Sequence, residues 1–227
     1  MPTSTWRSIT PILDIIMDLK PRPARVLDVG IGSGKYGFLC REYLHYWEDH
    51  LFNTSSEIVI DGIEVFPDYV DTLQREIYNH LFIADAMEIL PRFKNDAYDL
   101  LILIDVLEHC DELTGLNLLQ ECQRVAQVVI VSTPRVFVHQ PPKWGNPAEE
   151  HKSLWSAKTL KACGACWFTQ AENQIAVFAR GEYQAQFRPW FRRMRSFYYR
   201  LPLALQMRLS TDSKLVAPLY QMLARVA

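Results

Sequence analysis

The sequence predicts a doubly wound α/β fold: a mostly parallel seven-stranded sheet with an antiparallel last strand, followed by a C-terminal helical tail. Three observations predict it. Short, nearly continuous apolar runs alternate with stretches of helical periodicity, as strands buried on both faces and joined by crossover helices require. A glycine cluster directly follows the first of these runs. The last two runs are separated only by Ala171-Glu172-Asn173, short enough for an antiparallel hairpin.

Taken in order, Trp6, Ile9, Leu13, Ile16 and Met17 recur at helical spacing, so residues 1–20 read as a covering helix stopped by Pro21 and Pro23. Residues 25–29 form the first strand and enter the glycines, and residues 36–46 form the helix that leaves them. The second and third strands are expected at 58–64 and 81–84, with a helix at 69–78 between them. Residues 98–104 and 128–132 supply the fourth and fifth strands around a helix at 113–125. A proline-rich polar loop, 133–152, is long enough to suggest a working role. A helix at 156–162 and strands at 165–169 and 174–179 complete a domain spanning 1–180.

Residues 181–227 form the extension, and its charge sets it apart. It holds eight basic residues against Glu182 and Asp212, so a net charge of -2 for the whole chain divides into a basic tail and an acidic body. Phe187, Trp190, Phe191, Met194 and Tyr198 share one helical face, and Arg188, Arg192 and Arg195 another. Segment 187–226 is therefore expected to pack on the body or on a second copy, or to lie on an anionic membrane surface, with packing preferred because leucines continue the apolar pattern.

The modest net charge argues against nucleic acid as an obligatory partner. Five scattered cysteines, with no apolar leader or run of roughly 18 to 20 apolar residues, fit a reducing cytoplasm, with peripheral membrane attachment through the tail as the variant. Cys163 and Cys166 have CxxC spacing but no second pair, and are read as structural.

The informative polar residues fall at strand ends, where open parallel sheets bind ligands. Gly30, Gly32 and Gly34 allow a backbone turn to approach a ligand closely. Gly32 to Gly37 also read as a literal GxGxxG, so a dinucleotide site competes. Asp28 opposes that reading, because a carboxylate there would repel a pyrophosphate and instead suits a cationic ligand.

Asp28-Val29-Gly30-Ile31-Gly32-Ser33-Gly34 resembles the first motif of class I S-adenosylmethionine (SAM)-dependent methyltransferases, whose fold is Rossmann-like. The resemblance covers roughly residues 24 to 180, and it implies SAM as the cofactor. It implies that Asp28 serves the methionine end and that Glu64 binds the ribose hydroxyls. It further implies that Asp85, in Asp85-Ala86-Met87, contacts the adenine amino group while neighbouring side chains such as Ala86 enclose the ring; Asp85 could equally be a helix N-cap. Asp105-Val106-Leu107-Glu108-His109 resembles the D-x-L-E-H segment of small-molecule methyltransferases, which places Asp105 near the methyl group. Asp28 and Glu64 are 36 residues apart, beyond the usual separation of about 20, so the helix after Gly37 and segment 47–56 are expected to form an insertion.

Methyl transfer from a sulfonium is an in-line displacement in which alignment supplies much of the rate. A base is needed only for a hydroxyl or a protonated amine, and the candidate catalytic residues are His151, His109 and Asp105. His151 stands before Leu154-Trp155-Ser156 and resembles the class's H-x-x-x-F/W-S entry to the next helix. Trp144, Trp155, His139 and Tyr36 are candidates for an acceptor pocket, and the acceptor is expected to be a small molecule such as a sugar or lipid-linked intermediate. No cluster of further oxygen ligands is readable near Asp105, so no metal is expected. A nicotinamide-dependent oxidoreductase and an inactive scaffold with the SAM fold are the competing readings.

Overall fold

The computed structural model describes residues 4–46, 57–170 and 172–187. The chain divides into two compact units, Met1–Ala179 and Arg180–Ala227. In the first, the strands are β1 (Arg25–Val29), β2 (Val59–Glu64), β3 (His80–Ile83), β4 (Tyr98–Ile104), β5 (Ala126–Thr133), β6 (Trp167–Gln170) and β7 (Gln174–Ala179). They form one sheet of order β3-β2-β1-β4-β5-β7-β6. β1 to β5 are parallel, and β7 runs antiparallel to both β5 and β6.

The helices are α1 (Ile9–Asp18), α2 (Lys35–Cys40), α3 (Thr72–Ile77), α4 (Ala86–Ile89), α5 (Glu112–Val125) and α6 (Ala157–Ala162). In the second unit the described residues form α7 (Gly181–Gln186). The helix expected over 36–46 is in two parts, since after α2 the chain widens into a π-turn, Arg41–Tyr46. The segment expected at 69–78 likewise divides into a 3-10 turn, Pro67–Tyr69, and α3, whose start is set by an Asp71–Gln74 capping box. Segment 47–56 of the expected insertion and nearly all of the basic amphipathic segment 187–226 lie outside the described residues.

Apolar strands are central because both their faces are covered. Leu100 to Leu103 on β4 and Val128 to Val131 on β5 are essentially inaccessible, and Leu27 and Val29 of β1 join Leu118, Leu119 and Trp155 in one core cluster. A burial of this kind contributes roughly 1.5–3 kcal/mol per large side chain, enough to override short-range preferences at the element edges. Gly115 sits on α5 where the Trp155 indole packs; a Cβ there would stand 2.3 Å from the ring. No helix among the described residues is long and apolar enough to cross a membrane.

The sheet order turns over between β1 and β4: β2 and β3 lie to one side, β5 to the other. That is where a crevice opens beyond the carboxyl ends of the strands. The candidate cofactor residues lie at or just beyond the carboxyl ends of β1 to β4.

Candidate functional site

The turn after β1 is a run of left-handed backbone: φ is +74° at Gly30, +50° at Gly32 and +79° at Gly34. Only glycine takes up three such positions without strain. At Gly30 a second constraint applies, since a Cβ would lie 2.5 Å from Val106 Cγ2, in the segment that leaves β4. The turn is tied to β2, with Gly30 N donating to the Ile63 carbonyl at 2.9 Å.

Glu64, the last residue of β2, is buried and grips the loop: Oε2 accepts from Gly32 N at 3.0 Å, and Oε1 from Phe66 N at 3.0 Å. Burial raises its pKa; the two amides act against that shift. Each oxygen retains acceptor capacity, because a carboxylate has about four lone-pair sites.

Asp28 is 3% exposed, and its Oδ2 accepts from the Tyr78 hydroxyl at 2.6 Å and from Gly37 N, in α2, at 3.1 Å. Desolvation nevertheless pushes its pKa up to about 6. Tyr78 reaches it only because Gly37 has no side chain; a Cβ would stand 2.3 Å from the ring. Tyr78 was not legible as a site residue, since its hydrogen bond to Asp28 joins positions 50 apart in the chain, and Gly37 was legible only as the end of the GxGxxG reading.

Asp85 follows β3, is exposed, and caps α4: its Oδ1 accepts from Met87 N at 2.7 Å. Its neighbour Ala86 is half-buried against the core. Asp105 directly follows β4 in a left-handed conformation, φ +55°, unusual for a residue other than glycine. Its Oδ1 accepts from Ser132 Oγ at 3.0 Å and from Asn173 Nδ2 at 2.7 Å. Burial pushes Asp105 up to about 6, while those two donors and the Lys35 charge pull the other way. Asn173, in the hairpin between β6 and β7, carried no sequence signal for this role.

Beyond Asp105, the loop ending at Lys152 folds back onto the exit of β4. Lys152 N and Ser153 N both donate to the Glu108 carbonyl, at 2.7 and 3.1 Å. His109 and His151 meet edge to face with ring centroids 4.8 Å apart. His109 Nδ1 donates to the Glu150 carbonyl at 3.2 Å, and His151 Nδ1 to the Val138 carbonyl at 2.8 Å. Desolvation holds His109 down at about 4, so its ring is neutral.

Glu108 is 2% exposed, and its Oε2 is buried with no hydrogen-bond partner. Burial drives its pKa well up, helped by Asp105; the nearby Thr133 hydroxyl opposes this but misses hydrogen-bond geometry. One carboxylate oxygen of Glu108 and one ring nitrogen each of His109 and His151 lie within 4.8 Å of one another. The expectation of no metal rested on the absence of legible oxygen ligands near Asp105; the group brought together here is a different one, a carboxylate with two imidazoles, that could hold an ion. It escapes the sequence because His151 arrives from the far end of a long loop.

The expected acceptor pocket is corrected in part. Trp155 is 2% exposed, and its Nε1 donates to the Leu107 carbonyl and Ser153 Oγ, both at 2.9 Å, so it belongs to the core. Tyr36 is also buried, whereas Trp144 is exposed. All five cysteines are free thiols.

Neither a family model nor a curated protein sequence matches this chain. Solved structures do. One is the PH0226 protein from Pyrococcus horikoshii OT3, with 17% identity and a TM-score of 0.53 over 79% of this chain and 92% of that one. An O-methyltransferase family protein from Burkholderia thailandensis matches at 14% identity and a TM-score of 0.52, over 77% of this chain and 57% of its own. The N-terminal domain of EvdMO1, solved in the presence of SAH and D-fucose, matches at 14% identity and 0.52, over 79% and 86%. The chain has the class I SAM-dependent methyltransferase fold. The parallel strands β2, β1 and β4 are neighbours in the sheet, so the glycine turn, Glu64 and Asp105 fall at one edge, beyond or at the carboxyl ends of the strands. The chain spans little more than half the length of the Burkholderia protein.

Proposed function

We propose that this chain uses SAM to methylate a small-molecule acceptor. One observation carries the reading. Three left-handed glycines sit between two buried carboxylates, Asp28 before them and Glu64 hydrogen-bonded to them, with Asp85 and Asp105 at the next strand ends. Such an acidic set suits the sulfonium, ammonium and ribose hydroxyls of SAM and opposes a dinucleotide pyrophosphate. The Lys35 ammonium, which could have met a phosphate, is engaged by Ser4 O and Oγ at 2.6 and 3.0 Å.

In this reading Glu64 keeps its grip on Gly32 N and offers its remaining lone pairs to the ribose diol. Asp28 positions the loop through Gly37 and Tyr78 and contributes negative potential at the methionine end. Asp85 and Ala86 border the adenine. SAM supplies an activated methyl group on a good leaving group. Asp105, held by Ser132 and Asn173 and with a pKa raised by burial to about 6, takes a proton from the acceptor. His109, held down at about 4, is too weak a base for that task at neutral pH. The similarity to an O-methyltransferase family protein and to a domain solved in the presence of D-fucose supports a hydroxylated acceptor such as a sugar.

Calorimetric titration of the full chain with SAM, S-adenosylhomocysteine and NAD tests the proposal, with Glu64→Ala as control. Saturable binding of the first two, weakened at least tenfold by the substitution, supports it. NAD binding without SAM binding overturns it and restores the oxidoreductase alternative; a folded protein that binds none of them is the scaffold.

A further inference from the structure

We propose that Glu108, His109 and His151 bind one divalent transition-metal ion, which in turn holds an oxygen of the methyl acceptor. The metal site stands on its own residues, whereas its task at the acceptor rests on the methyl-transfer reading above.

Three observations converge on these side chains. Their ligand atoms lie within 4.8 Å of one another. Atoms bound at about 2.1 Å to a common ion are about 3 to 4 Å apart, so loading requires these groups to draw in by about an ångström. Next, each histidine spends Nδ1 on a backbone carbonyl, His109 on Glu150 and His151 on Val138. A carbonyl only accepts, so Nδ1 carries the proton and the lone pair is on Nε2. A backbone carbonyl on the remote nitrogen is the support that metal-binding imidazoles receive, since it fixes ring orientation and tautomer. Last, Glu108 Oε2 is buried and lacks a hydrogen-bond partner, the nearby Thr133 hydroxyl standing outside bonding geometry. A buried carboxylate oxygen without a partner is costly, and a cation removes that cost.

The donor set also narrows the ion and its work. Two imidazoles and one carboxylate favour zinc, cobalt, iron or manganese over magnesium or calcium, which prefer all-oxygen sites. Three protein ligands leave coordination positions open, the arrangement of a working site rather than a structural one. Glu108 and His109 stand three and four residues beyond Asp105, in the short turn that leaves β4. An acceptor hydroxyl bound to the ion becomes more acidic. Its proton passes to Asp105, its oxygen forms the new O–CH3 bond, and the electron pair of the broken C–S bond stays on sulfur. The acceptor is therefore a hydroxyl compound, and the product a methyl ether.

The test uses full-length protein stripped with EDTA and titrated with Co2+ alone, followed by visible absorption, with SAM binding measured in parallel. The wild type is expected to take up one Co2+ per chain and to develop ligand-field bands. His151→Gln and Glu108→Gln are each expected to weaken uptake by about 10- to 100-fold. Their SAM affinity stays within about twofold, within the scatter of substitutions at independent sites. His151 is only half-buried, so its variant decides the matter if Glu108→Gln fails to fold. Folded wild type that shows no bands, or bands that persist unchanged in His151→Gln, overturn the proposal. Metal uptake without SAM binding would keep the metal site while removing the methyl-transfer reading.

Discussion

Replacing Asp28 by asparagine should stabilise the ligand-free protein at neutral pH while weakening its hold on the cofactor. The carboxyl is 3% exposed and its pKa is raised from 3.8 to about 6, with desolvation as the largest cause. A raised carboxyl binds its proton more tightly in the folded chain than in the unfolded one. Its contribution to stability is therefore greatest at low pH, falls as pH rises from 3.8 to about 6, and is flat above. The full swing is about 3 kcal/mol, of which about 2 falls between about pH 4.5 and about pH 8.

Asparagine keeps the shape and can still accept from Tyr78 and Gly37, but it never ionises. Asp105, Glu64 and Glu108 are raised in the same sense and His109 is lowered, so the wild type alone mixes several titrations, and only the difference between variant and wild type isolates Asp28. Urea unfolding at the two pH values measures it: the Asp28→Asn variant should gain about 2 kcal/mol on the wild type as pH rises across this range. A difference independent of pH, or a gap that closes as pH rises, would refute the burial argument.

Two further outcomes follow from packing at the site's supports. Gly37→Ala places a methyl group against the Tyr78 ring, and should cost about 1–3 kcal/mol in urea unfolding while breaking the Tyr78–Asp28 hydrogen bond. Retained stability together with an unshifted Tyr78 hydroxyl resonance would contradict it. Trp155→Phe removes a donor shared by Leu107 O and Ser153 Oγ, and should lower stability by about 1–3 kcal/mol with SAM affinity unchanged. Lost SAM affinity in a folded variant would return Trp155 to the crevice.

The amino-acid pattern by itself determined the strands and their class. Runs such as Tyr98–Ile104 are apolar without alternation, and only burial on both faces accounts for that, so a parallel sheet with helical crossovers follows from local chemistry. The glycine turn was equally legible, because Gly30, Gly32 and Gly34 answer a backbone demand that few other residues meet. Where sequence reading drifted, as over residues 36–46 and 69–78, the cause was a π-turn or capping box that cuts a periodic stretch short.

Which side chains meet was decided only by the tertiary structure. Asp28 finds Tyr78, Asp105 finds Asn173, and Trp155 turns inward onto Gly115. Glu108 and His109 are visible in the sequence as part of one short segment, yet only the loop folding back through Lys152 and Ser153 brings His151 to them. Periodicity reports burial, which each residue expresses locally. Ligand clusters depend on loop closure across dozens of residues, and no local preference encodes that.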